Sequence, residues 1–120
     1  MNYVDGFVIP VPTERREEFR RHAAAAAPIF LEHGATRVVE CWGDDVPDGK
    51  RTDFRIAVKA EPGETVVFSW IEYPSREARN ECMRKVMADP RMEGLGPMPF
   101  DGARMIFGGF LPIVQAGEGA

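Results

Sequence analysis

The stretch Thr65 to Arg76 reads T-V-V-F-S-W-I-E-Y-P-S-R. From Thr65 to Tyr73 it is β-branched and aromatic almost throughout, the composition of a strand. Side chains alternate across a strand, so Val66, Phe68 and Trp70 share one face and Val67, Ile71 and Tyr73 the other. A strand apolar on both faces is covered on both faces. Pro74 stops it, and Ser75 is placed to cap a helix. This is a central strand that hands directly into a helix.

A chain of 120 residues predicts one domain, here residues 1–114 with a flexible tail at 115–120. Its hydrophobic fraction of 44% is that of an ordinary globular domain. The net charge of −4 disfavours nucleic acid and anionic membrane, which both call for a basic footprint. The basic cluster Arg15, Arg16, Arg20 and Arg21 is interleaved with Glu14, Glu17 and Glu18, the pattern of a solvated, salt-bridged helix face. No segment approaches the roughly 20 apolar residues of a membrane span, and no basic, then apolar leader opens the sequence. A cytoplasmic location is the expectation. Cys41 and Cys82 lack C-x-x-C spacing, so both are expected to be free thiols.

Around the central strand the remaining elements follow in order. Tyr3 to Val11 reads as the first strand, with Tyr3, Asp5, Phe7, Ile9 and Val11 on one face and Val4, Gly6 and Val8 on the other. Pro10 and Pro12 should end it. Thr13 is positioned to cap a helix running towards His33, with Phe19, Ala23, Ala26 and Phe30 on its apolar stripe. Pro28 should kink or break that helix, and Gly34 should stop it. Ala35 to Gly43 reads as the second strand and Asp44 to Asp53 as a loop. Phe54 to Ala60 suggests a short strand or hairpin arm. Ser75 to Asp89 reads as the second helix, with Ala78, Cys82, Met83, Val86 and Met87 forming its stripe. Arg91 to Gly102 is rich in Gly and Pro and reads as a mobile loop. Arg104 to Val114 reads as the last strand, interrupted by Gly108-Gly109.

The order β-α-β-β-α-β is the ferredoxin-like split arrangement, an α+β fold in which two helices cover one face of a four-stranded antiparallel sheet. The other face is also apolar, and a chain this short has nothing left to cover it. A second copy can, which predicts a homodimer in which two sheets pair into a dimeric α/β barrel.

Five blocks carry a resemblance. Y-V-D-G-F at Tyr3, E-C-W-G-D-D-V-P at Glu40, V-F-S-W-I-E-Y-P-S-R at Val67, V-M-A-D-P-R-M at Val86 and M-P-F-D-G-A-R-M-I-F-G-G-F at Met98 together resemble the DUF1428 family over nearly the whole chain. The resemblance implies a dimeric α/β-barrel fold and says little about activity. The wider superfamily shares the fold alone and includes cofactor-free and haem-degrading monooxygenases, isomerases and plain ligand-binding domains.

Each residue that could carry chemistry also has a plainer reading. His22 and His33 are eleven residues apart on one helix, on the same side but about 16 Å apart along the axis, so they cannot share a metal. Both read first as side chains at the edge of the apolar stripe, and one of them, His22, is a pocket candidate. Asp44, Asp45, Asp48 and Asp53 crowd one loop without calcium-loop order and read as turn residues. Cys82 reads as core. Cys41 has no adjacent base to activate it. Trp70, Tyr73 and Asp5 belong to adjacent central strands, where a carboxylate beside aromatics can orient an aromatic ligand, although core packing is the commoner role. Arg104 reads as a pair with Asp101 or as an anion anchor at a pocket mouth. No phosphate-binding glycine motif, nucleophile elbow or dinucleotide fingerprint is present.

The expectation is therefore a small homodimer that binds an apolar or aromatic molecule between sheet and helices, without metal, haem or another cofactor. The alternative is a cofactor-free monooxygenase or isomerase. Asp5, His22, Cys41, Trp70, Tyr73 and Arg104 are the candidate site residues.

Overall fold

A computed structural model describes residues 1–118. Its four strands are β1 (Tyr3–Pro12), β2 (Arg37–Trp42), β3 (Glu64–Tyr73) and β4 (Ile106–Phe110), and they form one sheet in the order β2-β3-β1-β4. Every pairing is antiparallel, so this is the α+β, ferredoxin-like sheet expected. β3 runs along the full length of β1, from Tyr3 opposite Tyr73 to Pro12 opposite Glu64. The stretch Thr65–Tyr73 is thus a central strand, flanked by β1 and β2.

The helices are α1 (Arg16–Glu32), α2 (Phe54–Ala57), α3 (Arg76–Ala88) and α4 (Pro90–Gly94). α1 and α3 lie on one face of the sheet, against Tyr3, Asp5, Ile9 and Val11 of β1 and Val67, Ser69, Ile71 and Tyr73 of β3, all buried. One core cluster joins Tyr3, Ile29, Ile71, Tyr73, Cys82 and Val86, and a second joins Ile9, Val11, Phe19 and Val67. Ser75 caps α3 by accepting a hydrogen bond from the Ala78 amide at 3.0 Å. Gly34 ends α1 with φ of +121°, a conformation that costs glycine little.

Several expectations are corrected. Thr13 does not cap α1; it opens a single 3-10 turn, and its hydroxyl meets that of Thr65 at 2.7 Å. Pro28 lies inside a helix that continues to Glu32. Ala24 and Pro28 are both exposed, so the carbonyl left without a donor can turn to water. Pro10 stays within β1, at a position beyond the Val4–Val8 stretch that pairs with β4, where a missing N–H breaks no ladder bond to that strand. Phe54 to Ala60 opens as a helical turn rather than a strand, because the Asp53 carboxylate accepts from the Ile56 amide at 2.7 Å and caps α2. The segment after α3 is not all loop: Asp89 caps α4 through the Arg91 amide, and a 3-10 turn spans Gly102–Arg104. Met87 leaves the α3 stripe and is 80% exposed.

Gly108 and Gly109 do not interrupt β4; they pair with Gly6 and Asp5. The strand itself is shorter than expected and ends at Phe110. A Cβ at Gly109 would overlap the Tyr3 hydroxyl and the Arg79 guanidinium, so glycine lets β4 lie close to that pair. Of the expected tail, Gly119 and Ala120 lie outside the described residues, while the Gln115 amide donates to the Met1 carbonyl at 2.6 Å.

The opposite face of the sheet carries Val4, Val8, Phe68, Trp70, Ile106 and Phe110, with Phe68, Ile106 and Phe110 exposed. α2 reaches one end of this face, where Phe54 meets Phe68 edge-on at 6.1 Å.

Candidate functional site

Between α1 and β2 runs an open groove of about 440 Å³, bordered by Arg16, Phe19, Arg20, Ala23, Ala27 and Trp42. Beside it, α1, the sheet and the segment 92–105 border a smaller cavity of about 170 Å³ that is as open to solvent as the groove, walled by Phe7, Ile9, Phe30, Ile71, Met92 and Phe100. Phe19, Ala23, Ala27, Val38 and Glu40 border both spaces, so groove and cavity adjoin; we treat the groove as the mouth and the cavity, lined by more of the core, as the interior. The alanine run of α1 makes this geometry possible. A helix face of methyl groups fills less of the space above the sheet than one of larger side chains.

Three polar side chains border the interior: His22 from α1, Glu40 from β2 and Ser69 from β3. Glu40 and Ser69 are direct cross-strand partners. Glu40 as a residue keeps contact with solvent, yet the apolar walls around its carboxyl push its pKa up to about 7, with the neighbouring Ser69 hydroxyl pulling weakly the other way. Among the described residues, Glu40 takes part in no ion pair. At the mouth, the Arg16 guanidinium lies 5.5 Å from the Trp42 ring centroid, and Arg20 is held by Glu17. The arrangement can enclose a small apolar body, offer it one carboxyl able to gain or lose a proton near neutral pH, and present positive charge outside.

The six expected site residues are distributed over five places. His22 lines the interior. Cys41 borders the mouth, exposed, opposite Phe68 in the β2–β3 ladder. Asp5 and Tyr73 lie together on the helix-covered face, in a separate buried cluster with Tyr3, Arg79 and Cys82. There Arg79 approaches Asp5 at 3.4 Å, donates to the Tyr3 hydroxyl at 2.8 Å and stands 5.0 Å from the centroid of the Tyr3 ring. Burial raises the pKa of Asp5, against the attraction of Arg79, and burial raises that of Tyr73 as well. Trp70 lies on the opposite face of the sheet, where its indole donates to Glu72 at 2.9 Å, and Glu72 in turn faces Arg37 at 3.8 Å. Asp5, Trp70 and Tyr73 therefore do not converge on one pocket. Arg104 is paired with Asp101 at 2.9 Å and holds Glu64 through two contacts of 2.7 Å.

Sequence reasoning missed Glu40, Ser69 and Arg79. The alternation of β2 placed Glu40 with Val38 and Trp42, and a charged residue among apolar ones on the helix side was the available signal. Arg79 carried no comparable mark on its helix. Among the described residues, no group of three or more His, Cys, Asp or Glu side chains could hold a metal ion.

The antiparallel sheet with helices packed on one side defines the class: an α+β protein of ferredoxin-like architecture. The chain belongs to the family described as "Protein of unknown function (DUF1428)", which matches residues 2–102. It is 62% identical over 116 residues to the uncharacterised protein YbaA of Escherichia coli K12, covering 96% of this chain and 99% of that one. The same protein from Shigella flexneri matches to the same extent. Among solved structures, an uncharacterised NIPSNAP domain protein from Burkholderia xenovorans superposes with a TM-score of 0.64 at 16% identity, covering 97% of this chain and 99% of that one. A NIPSNAP family protein of unknown function from Agrobacterium tumefaciens gives 0.56 at 14% identity, over 92% and 87% of the two chains. At these identities the likeness is one of fold.

Proposed function

We propose that this protein is a small cytoplasmic homodimer that binds one small apolar or aromatic molecule in the cavity beneath α1. The observation that carries the reading is the continuous path from the groove to an interior walled by Phe, Ile, Ala and Met. Apolar, partly enclosed space with a few polar groups is what small-molecule sites are made of. The methionines and the Gly/Pro-rich chain at 92–105 suit a wall that adapts to its occupant. The open face of the sheet is larger, about 720 Å³ of shallow space, but its bare Phe68, Ile106 and Phe110 suit a broad partner such as a second copy. Among the described residues, no helix is long and apolar enough to cross a membrane.

Methyl NMR during a screen of small aromatic compounds tests the binding. Methionine methyls at 92, 98 and 105 should shift, and Ala27→Leu, which fills the path, should suppress the shifts. Binding that is indifferent to Ala27→Leu, or no binding at millimolar ligand, would remove the proposal. A catalytic version, a cofactor-free monooxygenase or isomerase, draws support from Glu40 and His22 in the same cavity and is distinguished by turnover of a bound compound.

A further inference from the structure

We infer that Glu40, standing where the groove opens into the cavity with Ser69 beside it and His22 further in, selects a small aromatic molecule bearing a hydroxyl, a phenol or enol, and accepts its proton or hydrogen bond. This rests on the ligand reading above and adds the chemical class of the ligand. The interior of about 170 Å³ is comparable with the ~150 Å³ of an apolar cavity that holds one benzene ring. One ring therefore fills it, and the substituent at the throat meets Glu40. A carboxyl there calls for a donor, because Glu40 is exposed as a residue and an apolar substituent would displace the solvent that reaches it while giving no hydrogen bond in return. A cationic donor is disfavoured, since Arg16 borders the adjoining groove and the interior offers no charge besides Glu40 to solvate it. A carboxylate ligand would meet the ionised form of Glu40 with like charge. A neutral hydroxyl satisfies the site in both respects.

The transfer balances within the pair. The ligand O–H bond breaks, its electron pair stays on the ligand oxygen, and a new O–H bond forms on Glu40; the return step reverses it. The groups facing Glu40 are Arg16, Arg20 and His22 from α1 and Cys41 beside it on β2. From β1, β3 and the segment 92–105 come apolar side chains and Ser69. With burial holding Glu40 near pH 7, its charge changes within the range where binding can be followed.

Phenol and toluene are the probes, because neither ionises between pH 5.5 and about 8.5 and any pH dependence then belongs to the protein. Phenol should bind several-fold more tightly above the Glu40 transition than below it, toluene should not, and Glu40→Gln should make phenol binding independent of pH. In wild-type protein, which needs no folding control, carboxyl 13C NMR should place the Glu40 midpoint near neutrality and show phenol lowering it. Toluene binding with pH-independent phenol binding, or a phenol pH dependence that persists in Glu40→Gln, would overturn the inference and leave the ligand reading standing. Failure of both probes to bind would overturn both.

Discussion

Arg79 Nε stands 3.4 Å from Asp5 Oδ1, tying α3 to β1 beside Tyr3, yet this nitrogen makes no hydrogen bond. The pair is close enough to attract and too poorly aligned to bond well. Desolvation outweighs Arg79 at Asp5, whose pKa is raised rather than lowered. The two partners should therefore respond unequally to mutation. Arg79→Met should cost roughly 3 kcal/mol, the low end for breaking a buried pair, because a quarter of the Arg79 side chain stays exposed. Asp5→Asn should cost about 1 kcal/mol or less. Urea denaturation of both variants checks this, and equal losses would contradict it.

Glu40 makes stability depend on pH. Its folded pKa is raised from 4.5 to about 7, so the folded state holds this proton more tightly than the unfolded chain. The resulting stabilisation is complete below about pH 4.5 and is lost as pH rises through about 7. Glu40→Gln removes the loss, so its stability relative to wild type should rise across that window and level off above it. Solvent still reaches the residue, which limits the gain to the order of 1 kcal/mol. Melts at closely spaced pH values give the difference curve. A flat curve would mean that the carboxyl titrates as an exposed one.

Periodicity made the strands legible because a two-residue repeat names a face, and the faces of β1 and β3 read from the sequence are those found. Where the outcome turned on one contact between distant segments, the sequence was silent. Gly108-Gly109 reads as a break until Tyr3 and Arg79 are seen against it. Phe54 to Ala60 has strand-like residues, but the Asp53 cap decides its start. The site failed to read for a related reason. Trp70 and Tyr73 are three positions apart and so must face opposite ways, a constraint that the two residues already contained. Glu40 needed the position of α1 as well, because a carboxyl at neutral pKa is a property of its walls.

The two thiols should differ in access. Both are free, Cys41 exposed and Cys82 fully buried, with burial also raising the pKa of Cys82. A thiolate reagent added to native protein should therefore titrate Cys41 alone, and unfolding should release the second equivalent. Two fast equivalents in the native state would show that α3 opens readily over Cys82.

Trp70 offers a test of what the open face of the sheet is for. Loss of a buried core tryptophan would cost roughly 3–5 kcal/mol. Trp70 is only partly buried, against Phe68 at 5.8 Å between ring centroids and with its indole on Glu72. Trp70→Ala should therefore cost the isolated chain clearly less than that range. If a second copy covers this face, the larger effect falls on association, because an aromatic at the centre of an interface carries a disproportionate share of the binding energy. Wild-type protein should then sediment at twice 13.4 kDa at micromolar concentration, and Trp70→Ala should shift the weight average towards the single chain. Ile106→Glu places a charge on the same face, where Ile106 is 45% exposed, and should dissociate the pair without unfolding either chain. Wild-type protein that sediments as a single chain throughout would remove the dimer, and dimers that tolerate both substitutions would move the interface to another surface.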